Sequence, residues 1–404
     1  MIDIFIPEAE IDSTFYEKYF IVTYDVVSTS NLREAAWNIA IGQSVGNPST
    51  RSEYETAELF KNHSCLVLHS EQDLANKVAG KIKIAFPEKN INFKHDGVSQ
   101  LLVQIMGGQC DIDIIKRCVV EKLELTPSMQ RCLKGPVIGL KEMKDHCGIS
   151  ADKPLLGGIV KPKTGLTPKQ NFELVKQLID GGCNFIKEDE ILSDPDWCRI
   201  EDRLPLVVDY IKQTNSKVYY CVSLHTDPAH LLDRVKQVHS LGGNGVHVNF
   251  HCGMGSYKSI RELNLPILLH YQKSGDKILS CADHAYHIHH DVLFELAGRS
   301  GCSTLHCGMI GGYMDNETTQ VLKTVKMLND INCVPALSCG MHPGIVNHVT
   351  ETVGHGNWLA NVGGALSGHP MGTLAGVKAM RQAIDGNYGP EYNSAIDKWG
   401  VNEA

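Results

Sequence analysis

Two hydrophobic patterns follow one another along the chain and separate it at about residue 134. In the first part, stretches of alternating apolar and polar residues, typical of β-strands, stand beside stretches with the spacing of amphipathic helices. The strand-like stretches are 14–29, 63–70 and 78–87, and the helical stretches are 31–44 and 98–107. Ser30 or Asn31 is suited to cap the first of these helices. We therefore predict that residues 1–133 form a smaller α+β domain.

The second part is regular, because eight short β-branched runs alternate with amphipathic helical segments. The runs are 155–160, 183–187, 217–224, 244–250, 266–271, 303–307, 334–338 and 358–363. Several helical segments end on one or two glycines, as helix C-caps do. Strand–helix alternation favours parallel strands joined by right-handed crossovers, and eight units in about 250 residues are typical of a closed barrel.

We therefore predict an α/β fold in which residues 134–404 form a (β/α)₈, or TIM, barrel. The alternative is an open, doubly wound sheet. That alternative has less support because no GxGxxG motif follows the first run.

Reactive residues follow several of the predicted strands, at the end of a barrel where active sites lie. The sequence Lys187-Glu188-Asp189-Glu190 follows the second run. Asp189 and Glu190 can converge on one hard cation, and Mg²⁺ prefers such oxygen ligands. Lys187 would add an oxygen only if its neutral amine, which burial favours, reacted with CO₂ to form a carbamate. The alternative is a charge cluster that faces solvent at the end of a strand.

Two lysines follow the first run, one βα unit before Lys187. Lys161 and Lys163 are separated by one residue and point the same way on an extended segment. Repulsion between two like charges lowers one pKa, which suits a general base. A basic turn that binds a phosphate group is the alternative interpretation.

Small residues follow the last two runs, where exposed backbone N–H groups commonly bind phosphate. They are Ser338-Cys339-Gly340 and Gly363-Gly364. Ordinary tight turns are the alternative. Lys273 and His306 are single reactive residues near the ends of the fifth and sixth runs, and their placement makes them candidates for the same site.

Charge and composition exclude several classes of protein. The net charge is −8 and no long run of Lys or Arg occurs, which disfavours nucleic acid as a partner. The N-terminus is acidic where a signal peptide is basic, and no window reaches the roughly 18 to 20 apolar residues of a membrane span. We therefore expect no nucleic acid, no membrane and a cytoplasmic location.

Cysteine and histidine are frequent but do not predict a metal site of their own. The chain has 14 Cys without a CxxC pair, so we expect small buried side chains rather than a zinc site or a disulfide framework. The His-rich stretch 284–290 resembles a metal site by composition. Because an amphipathic segment, 291–300, follows it directly, we interpret it as the solvated start of a helix.

Five motifs resemble, in order and spacing, those of the RuBisCO large-subunit superfamily. They are GGIVKPKTGL, GGCNFIKEDE, LHCGMIGGY, ALSCG and VGGALSGHPMG, and KGPVIGL (134–140) resembles the start of the barrel in that family. The resemblance implies a ferredoxin-like α+β domain before the barrel. It also implies a homodimer, or an assembly of dimers, whose active site lies between one barrel and the partner's N-terminal domain.

The resemblance also implies a role for each candidate residue. Lys187 resembles the carbamylated lysine, with Asp189 and Glu190 as the other Mg²⁺ ligands, and Lys161 resembles the enolisation base with Lys163 as its partner. The residues that resemble substrate-binding or phosphate-binding positions are His306, Ser338, Gly340, Gly363 and Gly364. Lys273 stands where the family has a phosphate-binding arginine.

Several positions depart from the family pattern. Tyr313 stands where a mobile loop normally carries the lysine that stabilises the carboxylated intermediate, and Gln272 replaces a histidine. In the first part of the chain, Gly42 stands in place of a glutamate and Gly108 in place of an asparagine. Asn47-Pro48 stands in place of a Thr-Trp pair. The metal site and the base are thus retained, whereas groups that direct CO₂ are lost.

This combination is typical of the RuBisCO-like proteins, the form IV type, which lack carboxylase activity. It predicts Mg²⁺-dependent enolisation of a phosphorylated keto-sugar or thio-sugar, by an isomerase or tautomerase such as those of methionine salvage. Three alternatives stay open: a decarboxylase of phosphorylated β-keto sugar acids, a protein of this fold without catalysis, and a true ribulose-bisphosphate carboxylase.

Overall fold

The computed structural model describes residues 3–69, 74–313 and 317–401, which divide into two compact units. The first unit holds the chain up to Lys134 together with Gly275–Leu296, and the second holds Gly135–Ser274 and the chain from Ala297 onward. The sequence prediction placed 275–296 in the barrel. The structure groups it with the first unit because it contributes a strand to the sheet of that unit.

The strands and helices are numbered in chain order. The strands are β1 Phe5–Pro7, β2 Tyr19–Ser28, β3 Leu66–His69, β4 Ala79–Pro87, β5 Ile115–Glu124, β6 Leu155–Ile159, β7 Phe185–Lys187, β8 Tyr219–Ser223, β9 Gly245–Asn249, β10 Leu268–Gln272, β11 Tyr286–Ile288, β12 Thr304–Gly308, β13 Val334–Leu337 and β14 Leu359–Val362. The helices are α1 Leu32–Gly42, α2 Ala57–His63, α3 Gly97–Ile105, α4 Pro127–Cys132, α5 Leu140–Cys147, α6 Pro168–Asp180, α7 Ile200–Thr214, α8 Pro228–Ser240, α9 Gly255–Glu262, α10 Lys277–Ser280, α11 His290–Arg299, α12 Thr318–Asp330, α13 Val346–Val353, α14 Gly364–Ser367, α15 Thr373–Asp385 and α16 Pro390–Trp399.

The first unit is built on a mixed sheet with the strand order β1-β3-β4-β2-β5-β11. β2 is antiparallel to both β4 and β5, whereas the edge strand β11 is parallel to β5. Helix α1 begins as predicted, because the side chain of Asn31 accepts a hydrogen bond of 2.9 Å from the backbone N–H of Glu34. The predicted α+β class of this part of the chain is confirmed.

The second unit is a closed barrel of eight parallel strands, in the order β6-β7-β8-β9-β10-β12-β13-β14. Each of the eight apolar runs supplies one strand, so the predicted TIM barrel is confirmed. The helices between them follow ordinary end signals. For example, Thr167 caps α6, and Gly182 follows that helix with a φ of +99°, a conformation that glycine adopts without strain.

Apolar side chains fill the amino-terminal part of the barrel interior. A buried cluster joins residues near the starts of the strands, among them Leu155, Phe185, Leu268, Val334 and Leu359. This packed layer closes the interior, as is usual for such barrels. Polar side chains are therefore concentrated towards the carboxyl ends of the strands.

The His-rich stretch differs from the predicted helix start. Residues 286–288 form β11, and His287 is buried on that strand, with its Nδ1 atom 2.8 Å from the backbone oxygen of His284. Helix α11 begins only at His290. The prediction missed the strand because three residues are too few to show a clear alternation.

All 14 cysteines have free thiols, and most are buried. No helix in the described part of the chain is long and apolar enough to span a membrane.

Candidate active site

One cavity of about 650 Å³ lies within the second unit, at the carboxyl ends of the barrel strands. Most predicted site residues line it: Lys161, Lys163, Lys187, Asp189, Glu190, His306, Ser338, Gly340, Gly363 and Gly364. Among the predicted site residues, all of which the structure describes, only Lys273 does not line this cavity. The strand ends thus bring together residues that are distant in sequence.

Two lysines and two carboxylates lie together at the ends of β6 and β7, and each lysine pairs with one carboxylate. The amine of Lys161 pairs with Oδ2 of Asp189, and the amine of Lys187 lies 3.1 Å from Oε2 of Glu190. Lys187 and Asp189 are each 2% exposed, so both form part of the cavity floor and are shielded from bulk solvent. The alternative of a solvated charge cluster does not agree with this burial.

Burial determines the protonation of this group. It lowers the pKa of Lys187, although the nearby carboxylates of Glu190 and Asp189 oppose the change. Burial alone would raise the pKa of Glu190, but the charge of Lys187 and a hydrogen bond from Ser274 lower it to about 2. The site therefore combines an ionised Glu190 with a lysine whose pKa is lowered by burial.

The donor set fits a hard divalent cation. Asp189 and Glu190 offer carboxylate oxygens from adjacent positions, and the amine of Lys187 lies beside them. A neutral buried amine is the form of lysine that reacts with CO₂, so a carbamate on Lys187 is chemically accessible here. Asp189, Glu190 and carbamylated Lys187 are therefore the residues that would hold Mg²⁺.

Glu188 has a structural role that the sequence analysis did not identify. Its carboxylate accepts two hydrogen bonds, of 2.6 and 2.8 Å, from the guanidinium of Arg203. It also accepts hydrogen bonds from the hydroxyl of Tyr220, at 2.6 Å, and from the backbone N–H of Ser223, at 2.8 Å. These contacts hold the β7 end against β8 and so orient the residues on either side of Glu188. Arg203 occupies a position on the buried, apolar face of α7, beside Leu204. A charged residue on that face was the signal in the sequence that could have revealed a buried ion pair.

Ser274 is a second residue that the sequence analysis missed, and it contacts Gln272, which that analysis noted only as a departure from the family pattern. Ser274 donates a hydrogen bond of 2.7 Å to Oε1 of Glu190, and Gln272 donates one of 2.6 Å to the hydroxyl of Ser274. Both line the cavity. This chain of hydrogen bonds from β10 fixes the orientation of Glu190. A serine two residues after a glutamine gives no sequence signal that would reveal it.

Three histidines form a row near the carboxyl ends of consecutive strands: His225 lies two residues after β8, His247 on β9 and His270 on β10. The ring centroids of His225 and His247 are 5.1 Å apart, and those of His247 and His270 are 6.2 Å apart. Burial, followed by the charge of Lys187, lowers the pKa of His225 to about 4 and that of His270 to about 3. The same causes hold the pKa of His247 well below its usual range. The row is therefore neutral at physiological pH.

The loops after β12 and β13 approach closely through their backbones. The N–H of Tyr313 donates a hydrogen bond of 3.3 Å to the oxygen of Cys339, and a Cβ atom on Gly340 would lie 2.8 Å from Cα of Gly312. Gly340 has a φ of +111°, so glycine is required here for both space and conformation. The side chain of Tyr313 itself is 81% exposed.

Cys339 is a cavity residue that the sequence analysis treated only as part of a turn. Its Sγ atom lies 3.8 Å from Nε2 of His306, and both residues line the cavity. The φ of Cys339 is +80°, which is unusual for a residue other than glycine. Burial, followed by the charge of Lys273, lowers the pKa of His306 well below its usual range, so its imidazole is neutral.

The departures in the first unit have local explanations. A Cβ atom on Gly42 would lie 2.0 Å from the side chain of Gln109, so this position has no room for a glutamate unless that side chain moves. Gly108 faces open space. In the same unit His289, His290 and Asp291 place their possible ligand atoms within 4.8 Å of one another, but none of the three lines the cavity.

Known proteins resemble the chain over most of its length. The family described as ribulose bisphosphate carboxylase large chain, catalytic domain, matches residues 140–396. A ribulose bisphosphate carboxylase of Archaeoglobus fulgidus is 28% identical over 361 residues, which cover 79% of this chain and 80% of the relative. A 2,3-diketo-5-methylthiopentyl-1-phosphate enolase of Geobacillus kaustophilus is 28% identical over 416 residues, 94% of this chain and 98% of that enzyme.

The solved structures show the same fold. The octameric RuBisCO of Pyrococcus horikoshii superposes with a TM-score of 0.88 at 22% identity, covering 98% of this chain and 97% of that chain. The family match alone spans more than half of the sequence, from the first barrel helix to the last. The chain therefore belongs to the family of ribulose bisphosphate carboxylase large chains.

Proposed function

We propose that the protein is an enolase or isomerase of a phosphorylated keto-sugar or thio-sugar, such as an intermediate of methionine salvage, and that it does not fix CO₂. The observation that carries this proposal is the cluster at the ends of β6 and β7, where Lys161 pairs with Asp189 beside Lys187 and Glu190 in one cavity. The relative named as a methylthiopentyl phosphate enolase, which matches nearly the whole chain, supports the substrate class.

Asp189, Glu190 and a carbamate on Lys187 would hold Mg²⁺. When bound there, Mg²⁺ polarises a substrate carbonyl and so makes the neighbouring carbon more acidic. Ser274 keeps Glu190 in place for this role, and the Arg203–Glu188 ion pair fixes the strand end that carries all three ligands.

Residues of the chain itself would carry the proton and bind the substrate. Lys161 would remove the α-proton, because its amine lies at the cavity wall beside Asp189. Lys163 would polarise the substrate carbonyl or protonate its oxygen. Ser338 and His306 would bind substrate hydroxyl groups, and the backbone at Gly340, Gly363 and Gly364 would bind the phosphate.

Tyr313 supports the absence of carboxylation. The position carries an exposed phenol, and the ordinary pKa of a tyrosine, about 10, keeps such a side chain neutral at physiological pH. A neutral phenol cannot stabilise a new carboxylate as an ammonium group does.

Proton NMR in D₂O tests the proposal directly. The wild-type protein, with Mg²⁺ and bicarbonate, is incubated with 5-methylthioribulose 1-phosphate. We expect deuterium at the carbons beside the carbonyl, or a new sugar product, and we expect Lys161→Met to abolish both. Lys169→Met, on α6 outside the cavity, serves as the control. Absence of exchange while Mg²⁺ still binds would reject this substrate, and phosphorylated β-keto acids would then test the decarboxylase alternative.

Carboxylation is a second candidate because several relatives, including that of Archaeoglobus fulgidus, are named as carboxylases. We expect no incorporation of ¹⁴CO₂ when the protein is incubated with ribulose bisphosphate. Substituting Tyr313→Lys is not expected to create the activity, because Gln272 also departs from the family pattern. Fixation by the unmodified protein would overturn this part of the proposal.

A further inference from the structure

A thiol stands in the cavity wall that faces the Mg²⁺ ligands. Cys339 lies two residues after the end of β13 and contacts His306 of β12. In the ring of eight strands, β12 is the fourth strand from β7 in either direction. Cys339 and His306 therefore lie across the barrel from Lys187, and a substrate bound between them would meet both walls.

A separate observation indicates that this cavity binds a polar molecule. Asn361 on β14 also lines the cavity, is only 2% exposed, and its Oδ1 atom accepts no hydrogen bond from the described residues. Leaving a buried acceptor without a partner costs about 1–3 kcal/mol. A ligand with hydroxyl groups would compensate for this cost.

When protonation takes place at a carbon that the base does not reach, the reaction needs a second group as proton donor. Lys161, on the β6 side, can remove one proton, but a group on the same side cannot easily reach a carbon that faces the opposite wall. The described residues on that wall whose polar side chains line the cavity are His306, Tyr313, Ser338, Cys339 and His342. Among them, Cys339 presents an S–H bond beside the imidazole of His306. A thiol is a stronger acid than a phenol or a serine hydroxyl, which favours it as the donor.

We propose that Cys339 is a catalytic residue that protonates the enolate, an inference that rests on the proposed enolisation. The electron pair of the enolate forms the new C–H bond while the S–H bond breaks, and the negative charge passes to Sγ. Nε2 of His306, when it carries the ring proton, donates to the thiolate until water returns a proton to sulfur. No oxidant or reductant is required.

The conformation of Cys339 supplies a sharp control. Because its φ is +80°, replacement by glycine relieves backbone strain while it removes the thiol. Cys339→Gly is therefore expected to fold at least as well as the wild type, which a thermal melt checks. Cys339→Ser retains a hydroxyl but not the acidity. Cys252→Ala, at a half-buried cysteine that does not line the cavity, is the matched control.

The experiment follows deuterium at both carbons and product formation by NMR, with 5-methylthioribulose 1-phosphate as substrate. We expect Cys339→Gly and Cys339→Ser to exchange the first proton almost normally but to form product about 100-fold more slowly, as loss of an acid catalyst does. Normal product formation by Cys339→Gly would overturn the assignment while leaving the proposed function intact. A wild-type protein that exchanges neither proton would overturn both.

Alkylation gives a measurement that does not depend on turnover. Iodoacetamide labelling of the wild-type protein is followed at each cysteine by mass spectrometry, with and without the same substrate. We expect the substrate to slow labelling of Cys339 and to leave Cys252 unchanged. Equal labelling of Cys339 in both samples, under conditions where the substrate binds, would show that the thiol does not contact it and would refute the proposal.

Discussion

At the residue scale, the site depends on how each carboxylate in a short acidic segment is satisfied. Glu188, Asp189 and Glu190 are consecutive, yet they face three different partners: Arg203, Lys161 and Lys187. Burial makes these pairings strong, because the charges are removed from water and have few other partners. The same acidic segment on a protein surface would have no such division of roles.

Ser274→Ala is predicted to weaken the metal site without unfolding the protein. The variant removes the hydrogen bond of 2.7 Å that orients Glu190 and helps to keep it ionised. We expect Mg²⁺ affinity, measured by calorimetry in bicarbonate buffer, to fall about 10-fold to 100-fold, as is typical for partners of metal ligands. The control is Ser256→Ala on α9, which removes a hydrogen bond to the backbone oxygen of Cys252. It is expected to leave the Mg²⁺ affinity unchanged. Equal affinities for both variants would contradict this role of Ser274.

At the element scale, single helices and strands contribute groups that hold the active end of the barrel together. Helix α7 inserts the fully buried guanidinium of Arg203 beneath the β7 end. The row of neutral histidines comes from β9, β10 and the segment that follows β8. Both features bury polar groups in the barrel interior, where an apolar core would be simpler. Stability and active-site geometry are therefore coupled in these elements.

Arg203→Met is predicted to destabilise the protein strongly. It leaves the carboxylate of Glu188 buried without a cation, which costs about 3–5 kcal/mol. The midpoint of urea unfolding, followed by circular dichroism, is expected to fall accordingly. Arg199→Met is the matched control, because the ion pairs of Arg199 lie at the surface. Such pairs contribute about 0–1 kcal/mol to the free energy of unfolding. If the two variants unfold at the same urea concentration, the ion pair has no special structural role.

The histidine row predicts a specific dependence of stability on pH. The pKa of His225 is about 4 in the folded chain, compared with about 6.5 in the unfolded chain. Below pH 6.5 the unfolded chain therefore binds more protons than the folded chain. Stability is therefore complete above pH 6.5 and falls as the pH drops from about 6.5 to about 4. At about 1.4 kcal/mol per pKa unit, His225 alone accounts for up to about 3 kcal/mol.

Thermal melts between pH 4 and pH 8 check this dependence. His225→Asn retains an acceptor for the backbone N–H of Asn249 and is expected to reduce the loss of stability in acid. His230→Asn, at an exposed position of α8, is expected to follow the wild type. An identical pH profile for wild type and His225→Asn would show that other groups cause the acid sensitivity.

At the scale of the whole molecule, the exposed apolar residues support an assembly larger than one chain. Ile191 and Trp197 lie between β7 and α7, close in sequence to Asp189 and Glu190, the proposed Mg²⁺ ligands, and are 59% and 46% exposed. Large apolar side chains that are exposed in one segment are candidates for a contact with another protein. We propose that this segment contributes to the homodimer that the family resemblance implies.

Light scattering coupled to size-exclusion chromatography tests the assembly. We expect a mass of about twice the 44.5 kDa of the chain, or a multiple of that dimer. The double substitution Ile191→Asp and Trp197→Asp is expected to yield monomers, because it places charges in an apolar contact. Tyr388→Asp, at another exposed aromatic residue, is the control. A wild-type mass equal to one chain would refute the proposed dimer.

The sequence alone determined the class of fold and identified ten of the residues that line the cavity. Its regular alternation of apolar runs and amphipathic segments predicts eight parallel strands, because each pattern is local and repeats often enough to be recognised. Parallel strands place their carboxyl ends together, so the residues that follow the runs, such as Lys161, Lys187 and Gly363, could be assigned to one site before any distance was known.

Only the tertiary structure decided the contacts that arise between distant elements. Arg203 reaches Glu188 from a helix, Ser274 reaches Glu190 across several strands, and Cys339 meets His306 only because β12 and β13 are neighbours in the barrel. Segment 275–296 joins the first unit because of a strand of three residues. Such pairings depend on packing in three dimensions, and a sequence pattern records only which face or strand end a residue occupies.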